Sequence, residues 1–107
     1  MIPSRLQQLL SFLETAPNDA FTLYSVAYEY LNQSEILTAI KYFEQLKSLH
    51  PEYIGTYYHL GKSLEKIKDK QAAALVYQSG IEVARKLKDR HALAELQTAL
   101  NEVLFDD

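Results

Sequence analysis

The sequence contains no cysteine, only three glycines and three prolines, and no surplus of positive charge. Without cysteine, neither disulfides nor thiolate metal sites are available, which suits a reducing compartment. The few glycines, Gly55, Gly61 and Gly80, stand apart from one another. They form neither a phosphate-cradling loop nor a dinucleotide-binding fingerprint. Eleven basic residues against fourteen acidic ones give a net charge of −3, the opposite of the basic footprint that phosphate backbones demand, so nucleic acid is excluded as a partner. No stretch approaches the roughly 18 apolar residues of a membrane span. The start, Met1 to Arg5 followed by Leu-Gln-Gln-Leu-Leu, is amphipathic rather than the continuous apolar core of a signal peptide. The expectation is a cytoplasmic protein with no membrane association. At 107 residues, 48% of them hydrophobic, the chain is expected to form one ordered domain that buries roughly 65% of its unfolded surface.

What is present is helical periodicity. Leu6, Leu9, Leu10 and Leu13 recur at spacings of three and four, predicting a helix over 3–15 with Pro3 in its first turn. Asn18 or Asp19 is placed to cap the next helix, which runs to about Asn32 with Leu23, Val26, Ala27 and Tyr30 on one face. Ser34 reads as the following N-cap, ahead of the stripe Ile36, Ala39, Ile40, Phe43, Leu46 and Leu49. Pro51 then opens a helix at its N1 position, with Tyr57, Leu60, Gly61 and Leu64 inward. Asp69 caps a helix carrying Ala73, Tyr77, Gly80, Ile81 and Ala84, extending to about Lys88. Asp89 caps the last helix, from about Arg90 to Leu104, with Leu93, Leu96, Ala99, Leu100 and Val103 on its stripe. Gly61 lowers helix propensity by about 1 kcal/mol relative to alanine, so a close helix crossing is its expected reason.

These elements repeat. Residues 17–50 carry Leu23-x2-Val26-Ala27-x2-Tyr30, then Ala39-x3-Phe43, then Pro51. Residues 51–84 carry Tyr57-x2-Leu60-Gly61-x2-Leu64, then Ala73-x3-Tyr77. The pattern resembles the tetratricopeptide repeat family, with W-x2-L-G-x2-Y, A-x3-F and P at a period of 34. The resemblance implies an all-α superhelix of about six helices, divided as an N-terminal capping helix (1–16), repeat 1 (17–50), repeat 2 (51–84) and an extended helix end with a C-terminal capping helix (85–107). Leu9 and Phe12, eight and five residues before Pro17, make the first helix half a repeat. Arg85 replaces the second unit's terminal proline, and the family's glycine is missing from the turn around Ser34.

Enzymatic chemistry finds no support in the residues. His50, His59 and His91 do not lie within three or four positions of one another, as ligands on one helix turn would. His91 and Glu95 share a helix face but lack a nucleophile or glycine-rich loop nearby. Lys62, Lys66, Lys68 and Lys70 are interleaved with Glu65 and Asp69 and read as a solvated face. Neither a cofactor nor a metal is expected.

Tyrosine is the excess, at eight residues. Tyr24, Tyr28 and Tyr58 fall off the inward stripes, and tyrosine serves binding surfaces well because it joins a rigid apolar body to a polar tip. The resemblance implies that the first helix of each unit lines a concave groove. That face collects Phe21, Tyr24, Ser25 and Tyr28 from repeat 1, Tyr58, His59 and Lys62 from repeat 2, and His91, Glu95 and Thr98 from the C-terminal cap. The implied function is a non-enzymatic scaffold or adaptor holding a peptide or protein segment there. The alternative is a homo-oligomeric assembly module, such as a homodimer, that uses the groove or an end cap. Some family members hold a chaperone's terminal carboxylate with lysine, asparagine and arginine. Here Tyr24, Tyr28, His59, His91 and Glu95 occupy those places, so that specificity does not carry over.

Overall fold

The computed structural model of the chain describes residues 4–105, which form six helices and their turns, with no strand among them. The order is α1 (Arg5–Thr15), α2 (Ala20–Asn32), α3 (Ile36–Leu49), α4 (Gly55–Lys66), α5 (Lys70–Leu87) and α6 (Arg90–Phe105). The expected Pro3 lies outside the described residues. Successive helices pack on one another along the chain, and α2 also touches α4, as α4 touches α6. The result is an elongated stack, 48 × 30 × 20 Å, in which α2, α4 and α6 share a face.

The helix starts follow local chemistry. Ser4 and Gln7 form a reciprocal capping box, with Gln7 N donating to Ser4 Oγ (3.1 Å) and Ser4 N to Gln7 Oε1 (2.8 Å), which satisfies two backbone donors that the first turn leaves without helical partners. Asp19 Oδ2 accepts from both Thr22 N and Thr22 Oγ1; these bonds hold its carboxyl below the usual range. Asp69 and Asp89 cap α5 and α6 in the same way, through Ala72 N and Ala92 N.

Two expected starts are corrected. Ser34 does not cap α3. It has φ 61° and sits in the left-handed region, closing α2 instead. Ser34 N donates to Leu31 O and Glu35 N to Tyr30 O, the paired bonds of a Schellman turn. Glu35 becomes the N-cap position of α3, without a side-chain bond. Lys68 (φ 66°) and Lys88 (φ 58°) repeat this geometry after α4 and α5, through Asp69 N to Leu64 O and Asp89 N to Ala84 O. The turn that normally takes glycine thus keeps its shape with serine and lysine. Nor does Pro51 open α4. Residues 51–54 lie in turns, and the helix starts at Gly55, with Ile54 at the N-cap position and no side-chain cap bond. The Pro51 carbonyl is used otherwise, accepting from Tyr57 OH (2.6 Å).

The core centres on the crossing of α4 and α5. A Cβ built on Gly61 would come within 2.1 Å of Tyr77 Cε1, and one on Gly80 within 2.6 Å of Tyr57 Cβ. Each glycine is therefore the socket for a tyrosine of the facing helix, and both rings are buried. Tyr77 OH donates to Glu65 Oε2. Burial first, then the Glu65 bond and charge, pushes the Tyr77 phenol well above its ordinary pKa.

The ends differ from the middle. Phe12 stands one 34-residue period before Leu46, yet it is 55% exposed while Leu46 is fully buried. Among the described helices α1 touches only α2, whereas α3 is packed between α2 and α4, so no second described helix is there to enclose Phe12. At the small-residue position of Ala39 and Ala73, α1 has Arg5, which donates from Nε to Glu29 Oε1 at 3.0 Å.

Candidate functional site

Helices α2, α4 and α6 present their side chains to a common surface, and the gap between α4 and α6 forms two adjoining clefts. One, of about 240 Å³, is lined by Tyr24, Tyr58, His59, His91, Ala92 and Glu95, with Ile54, Gly55, Asp89 and Leu96. The other, of about 170 Å³, is lined by Tyr58, Lys62, Glu95, Thr98, Ala99 and Glu102.

The aromatic residues are a connected cluster rather than separate exposed rings. His59 is its hub, with ring centroids 5.3 Å from Tyr28, 5.5 Å from Tyr58, 5.8 Å from Tyr24 and 6.1 Å from Phe43, onto which it stacks at an interplanar angle of 13°. Tyr24 also meets Tyr28 (6.2 Å), Phe43 (6.2 Å) and Tyr53 (5.6 Å). Such ring pairs contribute about 0.5–1.5 kcal/mol beyond area burial. Half-burial among rings lowers the His59 pKa despite an opposing pull from Glu95, and desolvation raises that of Tyr24.

This arrangement revises the expected groove. Tyr24 and Tyr58 are half-buried and pack against the core, so they are structural as well as superficial. Tyr28 and Phe21 are exposed, Phe21 at 62%. Ser25 is corrected: it is 5% exposed, because it faces inward with Thr22, Leu23 and Val26 on a helix covered by α1, α3 and α4. His59 presents little free surface, being enclosed by the four rings. Lys62 is engaged within the chain, with Nζ 5.6 Å from the Tyr58 ring centroid and 3.7 Å from Glu65 Oε2. His91, Glu95 and Thr98 are exposed on α6. The sequence reading missed Tyr53, Ile54 and Glu102. The first two lie in the turn assigned to a helix.

His50, a metal suspect by type alone, is structural. Its Nε2 donates to the Asn18 carbonyl (2.6 Å) and so joins the two loops that follow α1 and α3. Among the described residues, no three His, Asp or Glu side chains gather as a metal site, and no helix is long and apolar enough to cross a membrane.

Comparison with solved structures supplies the family. The crystal structure of a tetratricopeptide repeat domain protein from Salinibacter ruber superposes with a TM-score of 0.80 at 39% identity, covering 83% of this chain and 100% of that one. The chain belongs to the tetratricopeptide repeat family. A solution structure of a tetratricopeptide repeat domain protein from the same organism agrees, at 41% identity, TM-score 0.77, and coverage of 81% and 88%. A Bordetella parapertussis protein shares the fold at 20% identity, with a TM-score of 0.85 over 99% of this chain and 92% of its own. No family model matches the sequence, and no curated protein matches it either. The tetratricopeptide fold is that of a protein-interaction repeat domain.

Proposed function

We propose that the surface shared by α2, α4 and α6 holds a segment of a partner protein, extended or helical, by shape and aromatic contact, and that the protein acts as a cytoplasmic, non-enzymatic adaptor. The observation that carries this reading is the meeting of two clefts at Tyr58 and Glu95, the first also lined by Tyr24 and His91, beside exposed Tyr28. Exposed aromatic side chains beside a preformed depression mark contact sites more often than inert surface. The cluster beneath is already packed, so a ligand would meet a rigid surface and lose little freedom in ordering it.

The test places a photo-crosslinking residue at Tyr28 or at Thr98 and, for comparison, at Leu75, which is 63% exposed on α5 and lines neither cleft. The expected result is one partner band from both groove positions and none from Leu75. Crosslinks from Leu75 alone would move recognition to another face.

A second reading, self-assembly through an end, is favoured by the exposure of Leu104 (54%) and Phe105 (82%) at the close of α6 and of Phe12 on α1. Its test is sedimentation mass against concentration, with Phe105→Ser expected to abolish any dimer.

A further inference from the structure

We propose that the segment held on this face is cationic, an arginine-bearing stretch of a partner chain whose guanidinium enters between α4 and α6, against Tyr58 and between Glu95 and Glu102. The inference rests on the groove reading above and names the chemistry of its ligand.

The charge of the lining is one-sided. Asp89, Glu95 and Glu102 border the two clefts, and Lys62 is the one ammonium or guanidinium among their lining residues. Lys62 is already matched by Glu65 at 3.7 Å. Asp89 is occupied in capping α6, but neither Glu95 nor Glu102 has an ion-pair partner among the described residues, and both are exposed. His59 adds no opposing charge at neutral pH, since burial disfavours its protonated form. An acidic peptide would therefore enter against repulsion, which selects against it as strongly as attraction selects for a basic one.

The ring geometry points the same way. Lys62 Nζ standing over the Tyr58 ring is an intramolecular instance of the contact an incoming cation would make. Guanidinium suits the place better than ammonium. It is planar, stacks on aromatic faces, sheds water more readily and can bond a carboxylate through two parallel N–H groups.

The experiment selects a phage-displayed random dodecapeptide library on the immobilised full chain and measures the strongest peptide by calorimetry. Arginine enrichment is expected among the selected sequences. Glu95→Gln with Glu102→Gln should weaken that peptide by about tenfold or more and flatten its salt dependence. Replacing its arginine by citrulline should cost as much in the wild type and little further in the double variant. Both positions are exposed, and an unchanged helical signal confirms the variant's fold. Selected peptides without cation enrichment that still lose binding to Tyr28→Ser would overturn the cationic inference and leave the groove reading standing. Peptides indifferent to all these changes, or no selected peptide at all, would overturn both.

Discussion

Three helix ends carry non-glycine residues in the left-handed region, and replacing Ser34, Lys68 and Lys88 together by glycine should stabilise the protein. An L-residue in this conformation costs about 1–2 kcal/mol through the approach of Cβ to the carbonyl oxygen. Glycine removes that cost but gives back about 0.4–1 kcal/mol by enlarging the freedom of the unfolded chain. The net gain is about 0.5–1 kcal/mol per site. All three side chains are exposed, so no buried contact is lost. The sites lie in three different turns, where effects should add, giving about 1.5–3 kcal/mol. At about 4–8 °C per kcal/mol for a domain of this size, the melting temperature should rise by about 10 °C. The assay is thermal unfolding by circular dichroism, with Gln33→Gly as the control. Gln33 is the neighbouring C-cap at φ −90°, where glycine relieves nothing and should lower the melting temperature. A triple variant that melts no higher than wild type would refute the left-handed assignment of these turns.

Gly61→Ala should destabilise by about 1–3 kcal/mol in urea unfolding, because its methyl would meet the Tyr77 ring at 2.1 Å; an unchanged midpoint would mean that the two helices can part freely. Thr56 is fully buried and its hydroxyl has no hydrogen-bond partner among the described residues, so Thr56→Val should raise stability by about 1 kcal/mol, and a loss in the same urea experiment would reveal a bond to that oxygen. The His59 pKa is lowered on folding, so the unfolded chain takes up its proton first. Stability should be full above the unfolded value of about 6.5 and fall as pH drops through it toward the folded pKa. Melting curves between pH 8 and 5 test this, and His59→Phe, keeping a ring on Phe43, should remove part of the decline.

Much of the fold was legible because its determinants are local. Asp19, Asp69 and Asp89 cap helices with bonds spanning three residues, and the inward stripes Tyr57, Leu60, Gly61, Leu64 and Ala73, Tyr77, Gly80, Ile81, Ala84 follow from a period that the chain itself repeats. The close crossing at Gly61 was legible too, since a glycine amid strong helix formers calls for a packing reason. Ser34 misled because serine favours N-caps in general, while the backbone here gives it the other role, closing the helix before.

The site was less legible. Position on a helix wheel put Tyr24, Tyr58 and Ser25 on the outer face, but how far a side chain is covered depends on which helices lie alongside. Ser25 is buried because α2 has neighbours on several sides, and Phe12 is exposed because α1 has one among the described helices. The gathering of Tyr24, Tyr28, Phe43 and Tyr58 around His59 joins residues from three helices, and the clefts exist only where α6 comes beside α4. Sequence determined the helices, their caps and their repeat, since each depends on residues a few positions apart. Only the tertiary structure decided which rings became core and which remained exposed, because burial is set by contacts between segments distant in the chain.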